Sequence, residues 1–466
     1  MSLIIFLYIY FVSFLDKPEK TVPQLSPRAI EQRAKWNIPA DELDYPVSRL
    51  YLDSLRHMGV TVHHASRWFN GATCEMSPTL ANKVAGLPFV TNVQMTRDDS
   101  PNLYVTKRRM PQSTVASDET GYYTESQLAL YNLLPLHQAG FEGQGILMTV
   151  CDGGFYHANT LSCFRHELEL GHFDFTDDTD GFYGSTGTHG TQCLSTISGI
   201  ATGFYGAATQ AQYYLMRSEE NDHESPKEMD NLVVALEKAD SLGVNVFSVS
   251  LGYALFDNDD WSLNKRTELD GQSTRSSLAA TIAARKGMLV CVAAGNEGDD
   301  SWRTISSPAD ADSVLTIGAV TVDSVPGGFS SYGPSSDGRV KPEVCAVGVR
   351  TTLISPSGSI DRSSGTSFAT PLLAGMAASL WSALPNENAM QIRERIIRSA
   401  HLYNNPDPKN QMGYGIPNAW LAYTMELPEG LPVTGDGLRV EKIIRGGQIL
   451  ILRNGRTYTI SGQLVE

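Results

Sequence analysis

Ser363-Ser364-Gly365-Thr366-Ser367-Phe368-Ala369-Thr370-Pro371 runs without a break into Leu372-Leu373-Ala374-Gly375-Met376-Ala377-Ala378-Ser379-Leu380-Trp381. The second piece is apolar nearly all round, so as a helix it must be buried. The first piece is small and polar and forms the opening turn of that helix. A buried helix that starts at an exposed serine presents free backbone N–H groups and the positive end of its dipole beside the hydroxyl. Such a place stabilises an oxyanion. Taken alone, a Ser/Thr-rich start is an ordinary N-cap on a core helix. The residues upstream decide between the two.

The chain has 466 residues, enough for two or three domains and a large core. A hydrophobic content of 41% and a charged content of 19% are those of a globular protein. The net charge of −15 argues against nucleic acid or an anionic membrane surface as the main partner. Cysteines stand singly at Cys74, Cys151, Cys163, Cys193, Cys291 and Cys345, and no pair has zinc-ribbon or redox spacing. Cys151 and Cys291 lie in apolar runs and read as buried thiols; a disulfide framework stays open. Ser2 to Leu15 is strongly apolar but lacks the basic start and small-residue exit of a signal peptide. It is too short to span a membrane. A truncated signal peptide stays open, but the aromatic and β-branched run Tyr8 to Phe14, ending at Asp16-Lys17-Pro18, reads better as a strand.

Residues 1–97 read as a small α+β unit. The expected order is a first strand, a helix around Arg28 to Ala34, a helix near Ser48 to Met58, strands at Val60 to His64 and Trp68 to Cys74, a helix near Thr79 to Ala85, and a strand at Phe89 to Gln94. Helices on one side of an antiparallel sheet in that order suit a ferredoxin-like split βαβ arrangement. Residues 98–123 form a polar linker with Lys107-Arg108-Arg109, the kind of segment where proteolytic nicking concentrates. In residues 124–426 apolar strand-like runs at Ile146 to Cys151, Gln212 to Met216, Val244 to Ser250 and Met288 to Ala293 alternate with helical runs such as Met229 to Ser241 and Ser276 to Lys286. The pattern predicts a three-layer α/β/α domain around a buried parallel sheet, with ligands gathering at the carboxyl ends of its strands. Residues 427–466 are a short tail with a hairpin signal: Ile449 to Leu452, Asn454-Gly455, then Thr457 to Ile460.

Several polar residues stand at strand ends or helix starts. Asp152 directly follows Cys151 and precedes Gly153-Gly154; an isolated case would be an Asx turn. His189 lies in Gly187-Thr188-His189-Gly190-Thr191 at the start of a helix, where an imidazole is placed to accept a serine proton. Asn296 closes Ala293-Ala294-Gly295-Asn296 after an apolar run, where its amide is placed to donate to an oxyanion.

An Asp, a His, a Ser and a helper Asn in these settings resemble the subtilase family of serine endopeptidases. Gly365-Thr366-Ser367-Phe368-Ala369-Thr370-Pro371 is similar to the family's serine block, His189-Gly190-Thr191 to its histidine motif, and Ala294-Gly295-Asn296 to its oxyanion segment. Ser250-Leu251-Gly252 resembles the family strand that pairs with substrate backbone. Phe329 to Gly333 and Lys341-Pro342-Glu343-Val344 resemble segments preceding the serine block. The resemblance implies that Asp152, His189 and Ser367 are catalytic, that Asn296 serves the oxyanion hole, and that Ser250, Leu251, Gly252, Ala294 and Gly295 bind substrate. Two departures stand out: Gly153 replaces the usual Ser or Thr after the aspartate, and Val347-Gly348 replaces the usual Pro-Gly.

The same resemblance gives the N-terminal unit a role. Its Arg28-Ala29-Ile30-Glu31-Gln32-Arg33 helix and Arg67-Trp68-Phe69-Asn70 segment are similar to propeptides of secreted Bacteroidota subtilases, which implies a zymogen inhibited by its own N-terminal domain and cut in the linker. The expected partners are polypeptide substrates and that propeptide, with no nucleic acid and no stable membrane span, in a secreted or cell-envelope setting. No cofactor is required. The resemblance implies that a structural calcium is possible, since the ion is common in the family, but Asp174, Asp177, Asp178 and Asp180 lack calcium-loop spacing and read as a solvated loop, so no metal site is assigned. The competing reading is a catalytically silent subtilase-like binding protein, which the presence of all four active-site residues disfavours. A nucleotide-binding domain fails because no Gly-rich phosphate loop follows the first strand of the sheet in the required form.

Overall fold

The computed structural model describes residues 8–19, 22–98, 124–177, 179–220, 223–407, 409 and 411–428, with the strand backbone of 441–445, 448–453 and 456–459. Its centre is a parallel sheet of seven strands in the spatial order Val344–Val347, Leu315–Val320, Leu289–Ala293, Val246–Val249, Leu147–Asp152, Gln212–Arg217, Glu169–Asp174. Strands covered on both faces are mostly apolar, hence their near-continuous runs.

Alternate residues point to opposite faces. Met148 and Val150 enter a core with Leu194 and Ile197 of the helix Thr188–Ser198 and with Leu372 and Leu373 of the helix Thr366–Ala383. Leu147 and Cys151 enter the other core, with Leu232 and Leu236 of the helix Pro226–Leu242 and Ala279 and Ala283 of the helix Arg275–Arg285. These are the three expected layers. The Pro226–Leu242 helix shows why the sequence folds this way locally: Pro226 sits in its first turn, Ser225 and Glu228 close a capping box, and Gly243 ends it at φ +76°. The first strand of the sheet, Leu147–Asp152, stands between two sets, so the chain reverses its direction of travel there and a crevice opens at the carboxyl ends.

Three sheet strands were not among the expected runs. Glu169–Asp174 is an edge strand whose residues alternate half-buried and exposed, so it lacks a continuous apolar signal. Leu315–Val320 is interrupted by Gly318, and Val344–Val347 is only four residues long. All six cysteines are free and buried.

The N-terminal unit is an antiparallel sheet in the order Thr61–Ser66, Gly71–Met76, Tyr8–Phe14, Val90–Asp98, the ferredoxin-like order expected. Trp68 and Phe69 lie in the turn before Gly71–Met76 rather than in the strand. Tyr10, Val12 and Phe14 pack with Leu55, Ala81 and Val84 of the helices Arg49–His57 and Pro78–Ala85. The opposite face lies on the large domain, where the Arg275 guanidinium sits 4.4 Å from the Phe11 ring centroid and donates to Gln94 at 2.8 Å. The helix Pro27–Lys35, capped by Ser26, reaches the far pole of the sheet. Arg28 donates there to the carbonyls of Gly243 at 3.1 Å and Gly145 at 3.0 Å, and to Asn245 Oδ1 at 2.7 Å.

The tail holds three antiparallel strands, Glu441–Arg445, Gln448–Arg453 and Arg456–Thr459, one more than the expected hairpin. The turn residues Asn454-Gly455, and residues 99–123 with Lys107-Arg108-Arg109, lie outside the described residues. Among the described residues, no helix is long and apolar enough to cross a membrane.

Buried charge joins the two units. Arg33 pairs with Asp44 at 2.8 Å and with Asp240 of the Pro226–Leu242 helix at 2.7 Å, all at most 5% exposed. Arg67 also reaches Asp240, at 2.6 Å, and Lys286 reaches Asp44 at 3.0 Å. Removing one member leaves its partners charged and dry. Arg33→Met is therefore expected to cost about 3–5 kcal/mol in denaturant unfolding of the full chain. A loss within about 0.5 kcal/mol, the size of an ordinary surface change, would contradict the buried-pair account.

Candidate active site

Asp152 is the last residue of the strand Leu147–Asp152 and is 1% exposed. It has the parity of Met148 and Val150, so its side chain lies on the face covered by the helices Thr188–Ser198 and Thr366–Ala383. One carboxylate oxygen accepts from Gly153 N at 2.8 Å.

His189 is the second residue of the helix Thr188–Ser198, and its Nδ1 lies 2.8 and 3.0 Å from the two oxygens of Asp152. Glycines allow the approach. A Cβ on Gly190 would meet Gly154 O at 2.4 Å and Asp152 Cβ at 3.0 Å, and one on Gly187 would meet Gly154 Cα at 2.6 Å. Burial alone depresses the imidazole, but the adjacent Asp152 carboxylate outweighs it and holds His189 well above the ordinary histidine pKa.

Ser367 is the second residue of the helix Thr366–Ala383 and is 7% exposed. Pro371, four residues on, has no N–H to give to the Ser367 carbonyl. That carbonyl accepts instead from Ser250 Oγ at 2.8 Å and from Cys193 Sγ at 3.2 Å. Cys193 Sγ also lies 3.7 Å from His189 Nδ1 and 4.0 Å from its Nε2. One sulfur thus touches both the imidazole and the serine backbone. No role was read for Cys193 from the sequence, although its i+4 spacing from His189 puts the two on one helix face. Among the described residues the Ser367 hydroxyl has no hydrogen-bond partner. The ring of its neighbour Phe368 lies 5.2 Å, centroid to centroid, from the His189 ring, tilted by 45°.

Asn296 follows the strand Leu289–Ala293. Its Oδ1 accepts from Thr366 N at 2.9 Å and from Thr366 Oγ1 at 3.1 Å. This fixes the amide and leaves Nδ2 without a partner among the described residues. Two donors therefore flank Thr366 unengaged: Asn296 Nδ2 and the first-turn N–H of Ser367. The segments Ser250-Leu251-Gly252 and Ala294-Gly295 converge on Ser306. A Cβ on Gly252 would lie 3.0 Å from Ser306 Cβ, and one on Gly295 would lie 3.1 Å from Ser306 Oγ.

The acidic loop is solvated as expected, since Asp174, Asp177 and Asp180 are exposed, but it also serves two buried cations: Asp174 and Asp180 pair with Arg217 at 3.6 and 3.1 Å, and Asp177 pairs with Lys227. Arg217 is 1% and Lys227 0% exposed. Asp178 lies outside the described residues. Carboxylates so committed do not fit a calcium cage, which needs six or more free oxygen ligands. A second convergent set, Glu219, Glu224 and Glu228, is also engaged: Glu219 accepts from Tyr253 at 2.7 Å, and Glu228 caps its helix.

Comparison with known proteins agrees with this architecture. Residues 143–415 match the subtilase family, and residues 9–114 match the peptidase S8 propeptide domain of Bacteroidota. The serine protease AprX of Bacillus subtilis (strain 168) is 28% identical over 315 residues, 59% of this chain and 66% of that protein. Subtilisin NAT of Bacillus subtilis subsp. natto is 28% identical over 276 residues, 58% of this chain and 64% of that protein. The chain thus spans just under two thirds of the length of these curated relatives. The crystal structure of MycP1 from Mycobacterium smegmatis superposes with a TM-score of 0.57 at 22% identity, covering 73% of this chain and 94% of that one, a likeness of fold. The family match takes in more than half of the chain, with the crevice and its Asp152–His189 pair inside it: the chain belongs to the subtilase family and carries an N-terminal propeptide domain of the Bacteroidota type.

Proposed function

We propose that the protein is a serine endopeptidase made as a zymogen, with Asp152, His189 and Ser367 as its catalytic residues. The observation that carries this reading is the 2.8 Å contact between His189 and a buried Asp152, beside a helix-start serine whose hydroxyl is unengaged. Ser195 is a poor rival on the same helix as His189. It is fully buried, and its hydroxyl donates to Gln192 O at 2.7 Å and accepts from Ile354 N at 2.9 Å.

In this reading Ser367 Oγ attacks the carbonyl carbon of the scissile bond while His189 Nε2 takes its proton. Asp152 holds the Nδ1–H tautomer and stabilises the imidazolium. The negative oxygen of the tetrahedral intermediate is received by Ser367 N–H and Asn296 Nδ2. Collapse breaks the C–N bond, and the imidazolium gives its proton to the departing amine. Water, deprotonated by His189, then attacks the acyl ester and restores the serine. The hydrogen bond between Oγ and the imidazole forms when substrate fills the crevice. Ser250-Leu251-Gly252 and Ala294-Gly295 flank the substrate chain. Residues 1–97 act as the intramolecular inhibitor, residues 98–123 hold the maturation cut, and residues 124–426 are the peptidase. The propeptide type and the family point to an exported protein. Calcium is a stabiliser of many relatives, but the residues of the acidic loop do not support an ion there.

A fluorophosphonate probe is expected to label the propeptide-free protein and to fail on Ser367→Ala; labelling that survives in the variant, or never occurs, rules out Ser367 as nucleophile. Asn296→Ala is expected to lower kcat by about a hundredfold to a thousandfold, the loss found for such donors in serine peptidases of this type, with KM little changed. Unchanged kcat removes Asn296 from the oxyanion site. His189 works as a base only when neutral, and Asp152 raises its pKa, so kcat/KM should fall as pH drops through a midpoint above the ordinary histidine value. Asp152→Asn should move that midpoint down, and a profile with no change of midpoint contradicts the coupling.

A further inference from the structure

The N-terminal unit delivers an arginine to the rim of the crevice. Its edge strand Val90–Asp98 ends there, with Arg97 Nη1 2.6 Å from Glu220 Oε2, the guanidinium 16% and the carboxylate 1% exposed. The other Glu220 oxygen pairs with Lys227, and the same Lys227 holds Asp177. On the peptidase side this group is two carboxylates against one ammonium. Asp177 is 41% exposed and also meets His63 of the N-terminal unit at 3.1 Å, whereas Glu220 is buried and needs a second partner of its own. Arg97 supplies it. Burial by itself pushes the Glu220 carboxyl up; Lys227 and Arg97 together hold it below its ordinary range.

Glu220 is well placed to meet a substrate. It lies three residues beyond Arg217, the cross-strand partner of Asp152. Ser218 N donates to Asp152 O at 3.2 Å, and a Cβ on Gly153 would sit 3.5 Å from Glu219 Cβ. Asn296 follows the strand Leu289–Ala293, which lies on the other side of Leu147–Asp152 in the sheet. A polypeptide crossing the rim therefore passes from the Glu220 side to the oxyanion side. Arg97 precedes the segment that must be cut for the N-terminal unit to leave, so the side chain it stands for is on the acyl side of the scissile bond.

We propose that Glu220, held by Lys227, is a specificity-determining carboxylate that takes a cationic side chain, arginine best, upstream of the scissile bond of a polypeptide substrate, and that Arg97 fills this subsite in the uncleaved chain. The proposal rests on the peptidase reading above. It makes the propeptide a substrate mimic at this position rather than only a lid.

The test scans Arg, Lys, Ala and Glu through the upstream positions of quenched peptides, using the protein freed of its propeptide. At one position wild type should cleave the arginine peptide with a kcat/KM about tenfold or more above that of the alanine peptide, the worth of one charged hydrogen bond. In Glu220→Gln this ratio should fall to near one. In Glu220→Asp, which keeps the charge on a shorter arm, part of it should remain. The ratio is the readout, so a general loss of activity does not imitate the effect. An arginine preference that is absent in wild type, or equal in wild type and Glu220→Gln, overturns the proposal and leaves Arg97–Glu220 as a docking contact alone. If wild type cleaves none of the peptides and Ser367 takes no fluorophosphonate, the peptidase reading fails and this inference falls with it.

Discussion

The carbonyl of Ser367 is the acceptor on which the crevice is built. In an uninterrupted helix it would bond to the N–H four residues on, but Pro371 has none. The carbonyl is taken up instead by a hydroxyl from the segment after the strand Val246–Val249 and by a thiol from the helix Thr188–Ser198. One backbone oxygen thus ties together the serine helix, the sheet and the histidine helix. On the other flank Asn296 grips Thr366, the residue before the serine. Ser367 is held from both sides by bonds that do not consume its hydroxyl or its N–H. That division, with the scaffold using the carbonyl, leaves the hydroxyl and the N–H of a buried helix start unengaged.

The second constraint is electrostatic. The large domain presents Asp240 and Glu220 to its N-terminal unit, and both are almost completely buried there. Arg33, Arg67 and Arg97 answer them from the N-terminal side. Buried carboxylates of this kind favour association only while their partners stay, because each would otherwise have to be rehydrated or neutralised. The pairs sit at two separate places, Asp240 beside the far pole of the sheet and Glu220 beyond the carboxyl end of the strand Gln212–Arg217. Glycine packing supplies the remaining precision. Gly154, Gly187 and Gly190 meet so closely that any side chain there would push the imidazole off the carboxylate.

Much of this was legible in the residues themselves. Asp152 and Asn296 follow continuous apolar runs, and such runs in a parallel sheet end at a ligand-bearing rim. Gly187 to Thr191 read as a helix start, and His189 is one. The N-terminal unit was readable because its elements alternate cleanly and its helices carry good caps. The edge strand Glu169–Asp174 was not, since half-exposed residues carry no buried-strand signal. The acidic loop read correctly as solvated, but its pairing was not legible, because the cations it serves, Arg217 and Lys227, come from distant positions and disclose their burial only in three dimensions. Cys193 escaped for a similar reason: its spacing from His189 is visible, but its contact with Ser367 spans two helices far apart in the chain.

The central claim is that a carboxylate, an imidazole, a hydroxyl and two unengaged donors serve one reacting carbon at one rim. The most direct measurement is a crystal structure of the propeptide-free protein after reaction with a fluorophosphonate. The account requires phosphorus on Ser367 Oγ, its free oxygen within hydrogen-bond distance of both Asn296 Nδ2 and Ser367 N, and His189 still joined to Asp152. An adduct on another residue, or a phosphoryl oxygen turned away from Asn296 with the imidazole detached, would contradict it.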